Sequence, residues 1–264
     1  PVYRGILQRW AWRCWSRWAS REGLRRMAGS EFKPWRPGLW RFTFPRMSRG
    51  VVAGITDRSC DVEGLRARLA APAGLAFAAQ PHGASVAALE VPLAPADPLP
   101  GCDGLTTRTP GLALVIRSAD CLPIVLWDPI QRVVGLIHAG WRGLTNQLPL
   151  RALSFLRHGY HSNPAHLWIG IGPAIRPCCY GVGREFLPRF GRFVYTRRGR
   201  QVCDLIGCAT QQLLAGGVPR AQVVDSGRCT ACEPARWYSV RREGEHGGRL
   251  LSFVMIRPEP IRHT

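Results

Sequence analysis

Three short apolar runs set the strongest limit on this fold. Between Gly111 and Gly143 the chain reads Leu112 to Arg117, Ile124 to Trp127 and Val133 to Ile137, with Asp128–Pro129 opening a turn. Each run is too short for a helix, and the last is apolar at nearly every position. Strands of that kind are covered on both faces. The fold must therefore supply a layer on each side of a sheet. Cys121 and His138, two residues with reactive side chains, fall at ends of these strands beside turns.

The rest of the chain supplies such layers. Val51 to Ile55 reads as a strand, and Val62 to Leu69 has helical spacing closed by Pro72. Leu75 to Gln80 and Val86 to Val91 bracket a Pro81–His82–Gly83 turn, and Leu93 to Gly101 is a loop rich in proline and alanine. Leu148 to Leu156 is helical, Leu167 to Ile171 a strand, and Leu205 to Leu214 a helix ended by Gly216–Gly217. Val223–Val224 and Leu250 to Ile256 complete the strands. No regular βαβ period and no repeat emerges, so the expected class is α+β, with mixed sheets flanked by helices. Residues 46–264 form one domain in this reading.

Residues 1–45 read as a basic extension. Trp10, Trp12, Trp15 and Trp18 are interleaved with Arg9, Arg13, Arg17 and Arg21, and no helical or strand period persists. An interfacial helix for anionic lipid is one reading; an irregular extension translated from upstream of the true start is the preferred one, the chain beginning at Pro1 rather than Met. The net charge of +19 invites nucleic acid, yet Lys33 is the only lysine and residues 1–50 supply +10 of the total. That bias reads as high-GC coding rather than a groove-binding surface. No apolar run approaches the roughly 18 residues of a membrane span. Ten cysteines in so long a chain, with no signal peptide, indicate reduced thiols. The expectation is a cytoplasmic monomer acting on a small molecule, with neither nucleic acid nor membrane as partner.

Cys121 ends the segment Ser118-Ala119-Asp120-Cys121, and His138 begins His138-Ala139-Gly140-Trp141-Arg142-Gly143. With His82 they make a thiolate and two imidazoles, a zinc set that leaves a fourth position for water, acidified there to about 7. Spacing alone leaves other readings open: a buried core thiol, a turn histidine, or a Cys121–His138 nucleophile and base. Cys229-Thr230-Ala231-Cys232 is a lone CxxC with no second CxxC at zinc-ribbon distance and reads as non-metal; Cys178 and Cys179 read as lining the core or a pocket.

Several segments, in order, resemble one family: Gln80-Pro81-His82-Gly83, Asp103-Gly104-Leu105-Thr106, Ala119 to Pro123, His138 to Gly143, and Ile171 to Ile175 with Cys178-Cys179-Tyr180. Asp204-Leu205, Cys229-Thr230, Tyr238-Ser239-Val240-Arg241-Arg242 and Gly248-Arg249 follow. Together, over about residues 50–256, they resemble the laccase-domain purine nucleoside phosphorylases, a family also labelled polyphenol oxidase and peptidoglycan-editing factor. The resemblance implies zinc held by His82, Cys121 and His138. It also implies phosphorolysis of purine nucleosides (adenosine, inosine, guanosine, methylthioadenosine) to base and ribose 1-phosphate, with adenosine deamination as a side activity. Catalytic roles fall to Cys121, His138 and Arg142. Arg58, Arg142, Arg241 and Arg242 are expected to bind substrate, guanidinium geometry suiting phosphate. Copper is the lesser alternative: a blue-copper site wants an axial methionine, and Met27, Met47 and Met255 stand beside none of the trio.

The chain also departs from that pattern. The double-glycine loop after Arg58 is missing, Leu65–Arg66 stands in place of an Asn-Arg pair, and Gly181 occupies a glutamate position. Two rival functions are a cysteine hydrolase acting on peptidoglycan precursors through Cys121 and His138, and a basic binding module for nucleic acid or acidic lipid.

Overall fold

The computed structural model describes residues 30–44, 50–90 and 98–258. Two six-stranded sheets stack face to face. The first takes β1 (Glu31–Arg36), β2 (Leu39–Thr43), β3 (Val51–Thr56), β4 (Leu75–Phe77), β7 (Ala113–Ser118) and β14 (Leu250–Ile256), in the order β1-β2-β3-β14-β7-β4. The second takes β5 (Val86–Ala88), β6 (Gly104–Thr107), β8 (Leu122–Asp128), β9 (Val133–Ala139), β10 (Trp168–Ile171) and β13 (Val223–Asp225), in the order β13-β10-β8-β9-β6-β5. Most pairs are antiparallel, while β4–β7, β5–β6 and β10–β13 are parallel, so both sheets are mixed. The small hairpin of β11 (Val194–Arg197) and β12 (Arg200–Cys203) stands apart.

Side-chain alternation explains the continuous apolar runs. In β8, Val125 and Trp127 face the first sheet, where they join Leu114, Ile116, Val254 and Ile256. Ile124 and Leu126 face the other way, into a cluster with Leu153, Leu156, Leu205 and Leu213. These last four belong to helices α3 (Leu148–Tyr160) and α5 (Leu205–Ala215); the short α2 (Trp141–Thr145) precedes α3, and α4 (Leu187–Phe190) precedes β11. On the far side of the first sheet, Val115, Leu251 and Phe253 pack on Leu65 and Leu69 of α1 (Val62–Leu69). The order of layers is helix, sheet, sheet, helices. Each buried leucine, isoleucine or valine contributes about 1.5–3 kcal/mol, so the doubly covered strands β8, β9 and β14 anchor the molecule.

The architecture is α+β, as the intermixed runs predict. Among the described residues, strands begin at Glu31, inside the stretch read from sequence as a basic extension over residues 1–45. Residues Glu31–Thr43 form a hairpin whose second strand pairs with β3. Aromatic packing holds it there. Phe32 stacks on Trp40 (ring centroids 5.5 Å apart) and meets Phe42, while Phe44 reaches Trp168 of the second sheet. The tight turn at Gly38, with φ +75°, and Pro34 on the outermost strand disguise the alternation in sequence. The Trp10–Arg21 interleaving lies outside the described residues. Among the described residues no helix is long and apolar enough to cross a membrane.

Candidate metal centre

The β8–β9 register brings the reactive residues together. Leu122 pairs with Ala139 and Pro123 with His138, which sets Cys121, at the mouth of β8, beside the end of β9. On the other flank of β9, Gly104 pairs with Ile137, and His138 N–H donates to the Asp103 carbonyl at 2.7 Å. Asp103 is therefore fixed next to His138. His82 arrives on the Gln80–Gly83 turn. The Gln80 side chain grips the Arg117 backbone through both its oxygen (2.8 Å) and its nitrogen (2.6 Å).

One ligand atom from each of His82, Cys121 and His138 lies within 4.8 Å of the others. The rings of His82 and His138 meet edge-on, centroids 4.9 Å apart. Asp103, fully buried, backs the group. Its carboxylate accepts from His138 Nδ1 at 3.1 Å, from His82 N–H at 3.0 Å and from Gly83 N–H at 2.6 Å. An occupied Nδ1 leaves Nε2 of His138 as the ligating atom, the usual carboxylate–histidine arrangement behind a metal. Gly140 completes the cradle: a Cβ there would stand 2.9 Å from Cys121 Sγ and 3.4 Å from His82 Cδ2. Donor set, carboxylate backing and cleared space all fit a borderline-soft cation such as zinc.

Electrostatics favour the same use. Burial pushes the Cys121 thiol up, but hydrogen bonds from His138 and His82 outweigh it and bring the group down to about 7. Burial lowers His138, whereas Asp103 and Cys121 raise it to about 9. Asp103 itself resists burial and is held below the ordinary carboxylate range by its His138 and Gly83 hydrogen bonds. Both shifts favour the charged forms, thiolate and imidazolium.

Backbone strain gathers here. Gln80, His82 and Asp120 all have positive φ (61°, 63° and 93°) without being glycine, a conformation held only where surroundings enforce it. At Asp120, Thr230 Oγ1 donates to one carboxylate oxygen at 2.6 Å and Arg241 N–H to the other at 2.7 Å, while Ile175 N–H reaches its carbonyl. Asp120 thus aims the neighbouring Cys121.

The four arginines expected to bind substrate divide into two pairs. Arg241 is tied to Asp120, donates to the Gly181 carbonyl and lies over the Tyr180 ring at 5.0 Å. Arg142 lies over Trp141 at 4.4 Å in the helix that follows His138. Arg58 and Arg242 converge instead on Glu243, in α6 (Val240–Glu243). Arg58 also donates to the Pro234 carbonyl, and Arg242 holds the carbonyls of Thr230, Ala231 and Trp237. These two brace the loop around Thr230. A cavity of about 760 Å³ takes one member of each pair, Arg241 and Arg242, into its wall, together with Cys178, Cys179, Arg197 and Arg200 among others. Sequence reasoning named Asp103 only as part of a motif and gave Asp120 no role. The signal was an acidic residue at the mouth of an apolar strand, where a free carboxylate has no cheap place to go.

Comparisons with known proteins identify the family and match the fold. The family described as "Multi-copper polyphenol oxidoreductase laccase" matches residues 47–257, and the chain belongs to it. Purine nucleoside phosphorylase YlmD from Geobacillus stearothermophilus is 38% identical over 170 residues; the match spans 61% of this chain and 62% of that relative. Purine nucleoside phosphorylase from Xylella fastidiosa is 33% identical over 83% of this chain and 88% of its own length. Adenosine deaminase RL5, from an unknown prokaryotic organism, is 31% identical over 59% of this chain and 63% of its own length. The crystal structure of YlmD from Geobacillus stearothermophilus superposes with a TM-score of 0.77 and 30% identity, covering 87% of this chain and all of that one.

Proposed function

We propose that the chain is a zinc-dependent enzyme that cleaves purine nucleosides with phosphate to base and ribose 1-phosphate, and deaminates adenosine as a side activity. The observation that carries this reading is the convergence of His82, Cys121 and His138 on one point, backed by Asp103. The names of the relatives, nucleoside phosphorylase and adenosine deaminase, supply the substrate class. Held by His82, Cys121 and His138, the ion would supply Lewis-acid chemistry.

The chain's own residues have separable tasks. Asp103 fixes the His138 tautomer and the His82 turn, and Asp120 aims Cys121. Arg142 and Arg241 offer planar cations for the phosphate, whose charge must be held in place during transfer to the sugar. Arg58 and Arg242 act indirectly, by holding the Thr230–Trp237 loop against Glu243. Tyr180 carries the Arg241 guanidinium over its ring; burial raises its hydroxyl to about 12, so it serves as a neutral wall.

One observation favours a second reading: the Cys121 thiol and the His138 imidazole stand together at neighbouring strand ends, the pairing a cysteine nucleophile and its base require. A single experiment separates the two. Zinc content by plasma mass spectrometry is compared between wild type and Cys121→Ala, alongside base release from adenosine with phosphate. The expected result is one fewer zinc per chain in the variant and loss of base release. Turnover that survives chelation but is stopped by thiol alkylation of the metal-free protein would transfer the site to the hydrolase reading.

A further inference from the structure

Away from the centre described above, the fold unites two cysteine pairs that lie some fifty residues apart in sequence. Cys178 and Cys179 sit on the turn that follows β10; Cys229 and Cys232 sit on the turn that follows β13. The parallel β10–β13 pairing carries both turns to the same edge. There Ala174 bridges Cys229, Thr230 N–H donates to the Ala174 carbonyl, and Arg176 Nε donates to the Arg228 carbonyl. The Arg176 guanidinium also pairs with the Asp225 carboxylate. The two turns are thus fixed by groups other than the thiols.

All four sulfurs fall within 4.8 Å of one another, and Cys232 Sγ is 3.4 Å from both Cys178 Sγ and Cys179 Sγ. Around zinc, with Zn–S of about 2.3 Å, the sulfurs of a tetrahedron are roughly 3.8 Å apart. The two 3.4 Å spacings at Cys232 and the 4.8 Å limit on the whole group bracket that value. Disulfide bonding describes the cluster less well. One bond at about 2.05 Å would join Cys232 to one of two equidistant partners and strand two thiols beside it. From this geometry we infer a second metal site, in which Cys178, Cys179, Cys229 and Cys232 hold one structural zinc with no open position. Cys229-Thr230-Ala231-Cys232 has the two-residue separation of structural zinc ligands. Its partner pair is an adjacent Cys-Cys, which is why no second CxxC announces the site in sequence.

Backbone donors are in place for the charge of such a site. The N–H groups of Arg176 and Cys232 hydrogen-bond to the Cys229 sulfur. The site also has a mechanical output. Thr230, inside the CxxC, is the residue whose hydroxyl grips Asp120 beside Cys121. Cys178 and Cys179 form part of the wall of the arginine-lined cavity. A zinc here would staple that wall to the loop that aims the catalytic thiol. The inference stands on these four sulfurs alone and does not depend on the function proposed above.

Protein purified under reducing conditions is assayed for zinc by plasma mass spectrometry as wild type, Cys121→Ser, Cys232→Ser and Cys178→Ser/Cys232→Ser. Two zinc ions per chain are expected in the wild type and one in each variant, with the Cys121→Ser ion and the Cys232→Ser ion being different ones. Cobalt substitution identifies which remains. Wild type and Cys121→Ser should show the intense thiolate-to-cobalt charge-transfer bands of four sulfur ligands, and Cys232→Ser should lose most of that intensity. The wild-type cobalt spectrum decides the matter even where a variant does not fold. One zinc per chain that Cys232→Ser retains, cobalt bands of a single thiolate in wild type, or a disulfide from Cys232 to Cys178 or Cys179 in the freshly purified protein would each overturn the assignment.

Discussion

The two sulfur clusters of this molecule are built to different plans. The His82–Cys121–His138 group mixes two imidazoles with one thiolate, sits against a fully buried carboxylate and has strained residues around it. Cys178, Cys179, Cys229 and Cys232 are four like groups near the surface, two of them exposed, held on two hydrogen-bonded turns. Three mixed ligands leave room for a reacting molecule; four thiolates close the shell. Position in the fold separates them as well. The first group hangs on the central strands β8 and β9, while the second hangs on the edge pair β10–β13. The mixed group thus rests on strands buried along their whole length, and the four-cysteine group on turns at the sheet edge.

That contrast makes its sharpest prediction about loss of activity. Cys121→Ala should lower base release by about a thousandfold or more, since Lewis-acid stabilisation is worth several kcal/mol at roughly 1.4 kcal/mol per factor of ten. Cys232→Ser should retain turnover within several-fold but melt several degrees lower. Steady-state rates and thermal melts on the same preparations measure both, and a thousandfold loss in Cys232→Ser would erase the distinction between reacting and tethering clusters. Next in size is Asp103→Asn. An amide accepts on one side only, so the variant must give up one or more of its three hydrogen bonds, and His138 is no longer pinned. Zinc affinity at the buried centre should fall about 10–100-fold, measured by competition with a chromogenic chelator. Affinity at the four-cysteine cluster should not change, and an equal loss at both would show a global unfolding effect instead.

Sequence carried the first cluster better than the second, for physical reasons. Strand ends β8 and β9 are legible because doubly buried strands must be apolar throughout, so Cys121 and His138 stand out at their limits. The helix over Val62–Leu69 and the strand over Leu250–Ile256 were expected at the residues where they occur. The lone CxxC gives no local sign of its neighbours, because Cys178 and Cys179 reach it through a parallel strand pairing that no local pattern encodes. Asp103 and Asp120 were passed over for a related reason: their partners are backbone N–H groups and hydroxyls from distant turns. Hairpin Glu31–Thr43 was hidden by charge. Its buried ring positions, Trp40 and Phe42, are separated by Arg41 directly after the arginine-rich residues 1–30, whose composition obscured a true period of two.

The smallest predicted effect concerns thiol reactivity, where two factors oppose each other. In metal-free protein, Cys121 titrates at about 7 because His138 and His82 stabilise its thiolate against burial. Cys178 is pushed up to about 11 by burial and by its Cys232 contact, and Cys232 to about 11 by Cys179 and burial. The sign is set by these directions. As pH rises, Cys121 alkylation should climb to a plateau through pH 7, while the surface pair remains protonated well past pH 9. At pH 8 the difference in thiolate fraction favours Cys121 by nearly a thousandfold. A low-pKa thiolate is the weaker nucleophile, however, and with a Brønsted slope of about 0.45 four units of pKa return a factor of roughly 60. Cys121 should therefore react about tenfold faster than Cys178 or Cys232 at equal access, and less than that given their greater exposure. Peptide mass spectrometry after timed iodoacetamide treatment, from pH 6 to pH 10, gives the three rates side by side. A Cys121 midpoint near the ordinary thiol value of 9 would mean that the imidazoles do not hold a thiolate in the absence of metal, and the electrostatic half of the contrast would fall while the geometric half stood.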